Sequence, residues 1–152
     1  TNRDSPNRQE EIAAVKPVID KLKDNNWTFA SHSYGHPHMD KISIQKFKND
    51  VDCWKNEVEP LVGETRVFLY PYGEYIPHND QGMEKINYLI EEGGFDIHCG
   101  VSLIPYTITY DNYAFEVRKN IDGLTLRNQK KRVSHMFDTD YVIDLESRNF
   151  GK

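Results

Sequence analysis

Trp27-Thr28-Phe29-Ala30-Ser31-His32-Ser33-Tyr34-Gly35-His36-Pro37 is the stretch on which the fold turns. Its first four residues are short, apolar and aromatic, which is the composition of a buried strand. Two imidazoles four residues apart, His32 and His36, would ordinarily share one face of a helix. Gly35 between them and Pro37 directly after them argue against a helix. Glycine weakens a helix, and proline disfavours helical backbone in the residue before it. The histidines are therefore expected where a strand spills into a loop. In α/β proteins that mouth is where ligands and metals collect.

Outward from this point, helices and strands alternate. Upstream, Ser5-Pro6 reads as a helix start. Ile12, Val15, Ile19 and Leu22 follow at helical steps, with Pro17 expected to kink or restart the helix and Asn25-Asn26 to end it. Downstream, Ser43 is a good N-cap, and Ile42 with Phe47 makes a hydrophobic staple. Ile44, Phe47, Val51, Trp54 and Val58 form one buried stripe, stopped by Pro60 and Gly63. Arg66–Leu69 reads as a second strand leading into Tyr70-Pro71-Tyr72-Gly73. A helix over about Gln81–Glu92 turns Met83, Ile86 and Ile90 inward and stops at Gly93-Gly94. Phe95–Val101 and Tyr113–Arg118 read as further strands. Asn120–Gly123 is a turn, Leu124–Met136 a weaker helix and Tyr141–Leu145 a last short strand.

The 152 residues suffice for one domain with a real core. Alternating strands and helices imply an α/β fold with a parallel sheet or a (β/α) barrel. Four or five strands are too few for an eight-stranded barrel of about 250 residues. Either the sheet is open, or the first units of a barrel lie outside this chain. An incomplete barrel leaves a sheet edge and an apolar face uncovered, so a homo-oligomer is expected. The net charge of −5 is spread out with no basic stripe, which argues against nucleic acid as a partner. No apolar run approaches the roughly 20 residues of a membrane span. Thr1 opens the chain without an initiator Met or a signal-peptide pattern, as in a mature form or a piece of a longer protein.

Successive parallel strands end on one side, so the loops after them share a mouth. His32 and His36 follow the first strand and Tyr70–Glu74 the second. His98 and Cys99 lie in the third, and Arg118 ends the fourth. Imidazole suits zinc and other borderline divalent metals. A catalytic zinc needs three protein ligands and an open position, and Asp40 and His38 are the local candidates for the third. Ser33 stands where a zinc-protease helix would carry glutamate, which excludes that class. Tyr70-Pro71-Tyr72-Gly73 reads either as an ordinary aromatic turn or as a rigid loop whose Tyr72 N–H points into the mouth, where it could stabilise an oxyanion. His98 and His135 read as structural or surface histidines, and Lys130-Lys131-Arg132 as a solvated helix face. Twelve per cent of the chain is aromatic, with nine Tyr, so ring surfaces are available for packing or for a sugar groove. Cys53 and Cys99 form no Cys-x-x-Cys pair, so a thiolate zinc site is not expected. One disulfide or two buried thiols are both open.

The order Phe-Ala-Ser-His-Ser-Tyr-Gly-His, Phe-Leu-Tyr-Pro-Tyr-Gly, Gly-Phe-Asp-Ile resembles the polysaccharide deacetylases of the NodB-homology type. Their His-[Ser/Thr]-x-x-His metal motif matches His32-Ser33-Tyr34-Gly35-His36. Their Arg-x-Pro-[Tyr/Phe]-Gly loop is similar to Leu69-Tyr70-Pro71-Tyr72-Gly73. The resemblance covers roughly Pro17 to Gly123. It implies a distorted (β/α) barrel, here a partial one, that removes N-acetyl groups from chitin, peptidoglycan or poly-N-acetylglucosamine. A divalent metal, usually zinc, would sit on His32 and His36, and the Tyr72 N–H would hold the oxyanion. Tyr70, Pro71 and Tyr75 would contact the sugar. The resemblance also implies an extracellular or cell-surface location in a bacterium, and no membrane span. Two departures stand out. The family's Asp-Asp pair, source of the general base and the third metal ligand, is absent from residues 1–31, so the chain is expected to begin after it and to act weakly or not at all. Leu69 replaces the motif arginine, which leaves Arg118 for the orienting role, and the family's late general acid has only His98 as a substitute. A non-catalytic glycan-binding relative is the alternative that these departures favour.

Overall fold

The computed structural model describes residues 4–102, 104–119 and 121–136. The expected Tyr141–Leu145 strand and residue 120 of the expected turn lie outside them. Among these residues the elements follow in order: α1 (Arg8–Asp24), α2 (Ile44–Glu57), α3 (Glu59–Val62), β1 (Val67–Leu69), a 3₁₀ turn (Pro71–Gly73), α4 (Asp80–Glu91), β2 (Ile97–Val101), β3 (Thr107–Thr109), β4 (Ala114–Arg118), α5 (Gly123–Asn128) and α6 (Lys130–Val133).

The strands form one open sheet in the order β1-β2-β4-β3. β1, β2 and β4 are parallel, in the register Phe68–His98–Phe115, and β3 is an antiparallel edge on β4. The α/β class and the parallel sheet agree with the sequence. The partial barrel does not appear as such: the described strands make an open sheet that does not close. β3 is an addition the sequence did not signal, because Thr107-Ile108-Thr109 is too short to show a period.

The expected strand at Trp27–Ala30 is replaced by a single bridge. Ser31 pairs in parallel with Phe68, its N–H donating to Val67 O at 3.0 Å and its carbonyl accepting from Leu69 N at 2.7 Å. Among the described residues its neighbour is the three-residue β1, too short for a longer ladder, and Trp27 is left 65% exposed. The direction was right, however: the chain runs along β1 and delivers His32 to its C-terminal end.

α2 follows its sequence closely. Ser43 accepts from the Lys46 N–H as N-cap, and Phe47, Val51 and Trp54 are buried. They pack with Phe68, Tyr70, Ile86, Leu89 and Phe95 in one core between the sheet and the α2–α4 layer. Gly63 ends α3 at φ 87°, a conformation glycine adopts without strain. α1 runs through Pro17 without a break. Pro17 and Ala13, whose carbonyl loses its helical donor, are both exposed, so water can serve that carbonyl. Of the apolar positions expected to be inward on α1, only Ile19 is buried. The expected helix at Leu124–Met136 is split into α5 and α6. Cys53 and Cys99 are both free thiols.

Candidate metal centre and oxyanion turn

His32 directly follows the Ser31 bridge, so β1 fixes its position. Its Nδ1 lies 2.8 Å from Leu69 O. A carbonyl only accepts, so in the neutral ring Nδ1 carries the proton and Nε2 keeps a free lone pair. That is the arrangement by which a second partner orients a metal-binding histidine. The His36 ring meets His32 edge-on, with centroids 4.8 Å apart. Neither His36 ring nitrogen has a hydrogen-bond partner among the described residues. Both Ser33 (φ 60°) and His36 (φ 53°) are left-handed without being glycine. Each such residue costs on the order of 1–3 kcal/mol, and conformations of this kind cluster at functional sites. The Ser33 hydroxyl accepts from the His36 N–H at 2.9 Å.

The Pro71–Gly73 turn brings Tyr72 to the same place. Tyr72 sits at φ 59°, and Gly73 follows at φ 71°. The Tyr72 ring meets His36 edge-on at 4.7 Å and stacks on His38 at 4.0 Å. No described residue accepts the Tyr72 N–H, and its side chain is 59% exposed. His32, His36 and Tyr72 thus gather, as the shared-mouth argument requires. Arg118 reaches the turn from β4, where one guanidinium nitrogen lies 3.5 Å from Tyr70 O. Its Nε is buried without a partner.

The other expected residues lie elsewhere. His98 is 0% exposed, with Nδ1 3.0 Å from the Tyr70 hydroxyl and Nε2 3.0 Å from Phe95 O. Burial pushes its pKa down to about 4. With both nitrogens engaged, it has none free to pass a proton to a substrate, so the expectation of an acid at His98 is corrected to a buried, neutral histidine. Tyr70 is 2% exposed and Pro71 is buried, so neither presents its side chain to the mouth. Both support the turn from within. Tyr75 is exposed, and with Tyr70, Ile76, His78, Tyr110 and Tyr113 it borders a cavity of about 220 Å³.

Beside Tyr72 lies a second polar cluster. His38 Nδ1 and Lys41 Nζ approach Glu74 Oε1 at 2.8 and 3.0 Å. Burial pushes the Glu74 carboxyl up, but the neighbouring Asp40, Lys41 and His38 outweigh it and hold the pKa at about 2. Burial, then Glu74, raises the pKa of Asp40. Asp40 Oδ1 and Glu74 Oε2 are covered atoms without partners. His38, Asp40 and Glu74 form the one group of three potential metal ligands among the described residues, their ligating atoms within 4.8 Å of one another. Sequence reading had His38 and Asp40 as candidates but missed Glu74, whose signal was its place directly after the Pro-Tyr-Gly turn.

The sequence profile of polysaccharide deacetylases matches residues 6–90, more than half of the chain. The chain belongs to the polysaccharide deacetylase family. No curated protein and no solved structure matches it. The family match runs from α1 into α4 and takes in both His32–His36 and Tyr70–Gly73, whereas His98 and Arg118 lie beyond it. Deacetylases of this family are typically metal-dependent, and the residues present fit a metal in part. His32 offers a lone pair in the orientation a ligand needs, and His36 an unpaired ring beside it. Among the described residues no carboxylate joins those two to make a group of three.

Proposed function

We propose that the chain serves metal-dependent hydrolysis of N-acetyl groups on a polysaccharide of the chitin, peptidoglycan or poly-N-acetylglucosamine kind. The observation that carries this is His32, with Nδ1 on Leu69 O and Nε2 free, set edge-on to His36 in a deacetylase-family loop. His32 and His36 would hold a divalent metal, with zinc the first choice for imidazole. When bound, such a metal polarises the acetyl carbonyl and activates water. The Tyr72 N–H, which no described residue accepts, is the donor for the oxyanion. Arg118 steadies the turn through the Tyr70 carbonyl, and Tyr75 offers an exposed ring face to a sugar. A cell-wall or exopolysaccharide substrate places this work outside the cell or at the surface of a bacterium.

Residues 1–31 contain no Asp-Asp pair, so weak activity is proposed for the chain by itself. The same gap, together with Leu69 at the arginine position, favours the second reading, a glycan-binding relative without catalysis. Elemental analysis and an acetate-release assay on N-acetylated chitooligosaccharides separate the two. The deacetylase reading expects about one zinc per chain, lost in His32→Ala, and slow chelator-sensitive acetate release. Oligosaccharide binding that ignores chelators, in a folded chain free of zinc, overturns it in favour of the second. Deacetylation at a normal rate by the chain alone would show that the base is not missing.

A further inference from the structure

Asp50 interrupts the apolar stripe of α2. It lies between Phe47 and Val51 on the buried side of the helix, and it is only 8% exposed. A buried carboxylate needs partners, and Asp50 finds them in the main chain between the two histidines. Oδ1 accepts from the Tyr34 N–H at 2.9 Å, and Oδ2 accepts from the Gly35 N–H at 2.7 Å. Consecutive N–H groups converging on one anion form a nest, and here the anion belongs to the protein. About two turns further along α2, Glu57 Oε2 accepts from the Tyr34 hydroxyl at 2.7 Å and from Arg8. One helix therefore grips the loop through its backbone and through its one long side chain. Gly35 permits the close approach, since a Cβ there would lie 3.2 Å from Asp50 Oδ2.

We infer that Asp50 is a positioning residue for the metal-binding loop, holding the Tyr34-Gly35 backbone so that His32 and His36 present their rings together before any metal arrives. The loop needs this support. It carries two left-handed residues, Ser33 and His36, one at each end of the segment Asp50 grips. Across the turn itself, the Ser33 hydroxyl also accepts from the His36 N–H. Charge-assisted bonds to a buried carboxylate are the stronger kind, and both of its oxygens are used. Without Asp50 the metal would have to order the loop as it bound, and part of the binding energy would go into that ordering. The inference rests on His32 and His36 as metal ligands, and it adds a residue that touches neither metal nor substrate.

The test is a competition titration of zinc against a chromophoric chelator, on this chain and on its Asp50→Asn, Gly35→Ala and His32→Ala variants. Amide hydrogen exchange at Tyr34 and Gly35 is measured alongside, without metal. Asp50→Asn keeps the shape but turns one acceptor into a donor facing an N–H. A roughly 10–100-fold weaker zinc affinity is expected, as for other outer partners of metal ligands. The two amides should exchange faster while α2 amides stay protected. If Asp50→Asn does not fold, Gly35→Ala, which crowds the carboxylate but leaves it in place, should weaken zinc several-fold. Wild-type zinc affinity in a folded Asp50→Asn, or failing that in Gly35→Ala, overturns the inference alone. No zinc on the unsubstituted chain overturns the histidine reading, and this inference with it.

Discussion

His32 donates a hydrogen bond from Nδ1–H to the main-chain carbonyl of Leu69 across 2.8 Å, so the residue that replaces the motif arginine still orients the first histidine. The contact needs the backbone of Leu69 and not its side chain. Leu69→Ala should therefore leave zinc affinity within about two-fold of the parent. His32→Ala should cost more than the roughly 10–100-fold typical of losing an outer partner, because it removes a ligand itself. Nitrogen-detected NMR gives an independent check: the metal-free ring should be protonated at Nδ1, and zinc should move the Nε2 resonance. An Nε2-protonated ring in the free chain would contradict this assignment.

The oxyanion turn depends on Gly73. It lies at φ 71°, and a Cβ there would come within 2.5 Å of the Val101 Cβ. Gly73→Ala adds the left-handed penalty of about 1–2 kcal/mol to overpacking of about 1–3 kcal/mol. A loss of roughly 2–5 kcal/mol in urea denaturation is expected, with weaker oligosaccharide binding because Tyr72 moves with the turn. A variant as stable as the parent would show that the turn yields easily and does not fix the Tyr72 N–H.

Much of this arrangement was legible in the chain itself. The Phe47-Val51-Trp54 stripe and the Ser43 cap state α2 in local terms, and local rules decide it; Pro60, expected to stop that helix, instead stands in the first turn of the separate α3, which Gly63 ends. The His32–His36 pair and Tyr70–Gly73 could be placed in one mouth because parallel strands end on one side. What failed were features set by neighbours. Trp27–Ala30 has the composition of a strand, but among the described residues a three-residue β1 is the one strand beside it. His98 reads by itself as a structural histidine, which the Tyr70 hydroxyl and the Phe95 carbonyl bear out; the acid role came from the resemblance alone. Asp50 did leave a signal, a carboxylate on a buried helix face, but its partners are backbone N–H groups that no sequence pattern names.

Lys85 anchors the segment after His36. Its ammonium, 5% exposed on α4, donates to the carbonyls of Met39 (2.9 Å), Asp40 (3.0 Å) and Ile42 (2.7 Å). Three carbonyls converge on it as they would on a bound cation. Lys85→Met keeps the stem and leaves all three without this donor. The loop can regain part of the loss from water, so roughly 2–4 kcal/mol of destabilisation is expected rather than the full sum. Thermal melts with calorimetric enthalpies measure it. A change under about 0.5 kcal/mol would mean that the loop is held by its other contacts.

The buried His98 makes stability depend on pH in a stated direction. Burial lowers its pKa from 6.5 to about 4 in the folded chain. Between those values the unfolded chain binds more protons, so stability falls as pH falls. The contribution is intact above about pH 7 and lost progressively from about 6.5 down to 4, by roughly 3 kcal/mol at 1.36 kcal/mol per pKa unit. His98→Gln cannot titrate in this range. It should be less stable than the parent at pH 7.5, because a fitted pair of bonds to Tyr70 and Phe95 is disturbed. Its further loss between pH 7.5 and 4.5 should be smaller than the parent's by about 2–3 kcal/mol. Carboxylates titrate in the same window in both proteins, so the difference between the two denaturation series isolates the histidine. Parallel losses in the two series would mean that His98 takes up its proton without unfolding the core, and that its burial is not what holds it neutral.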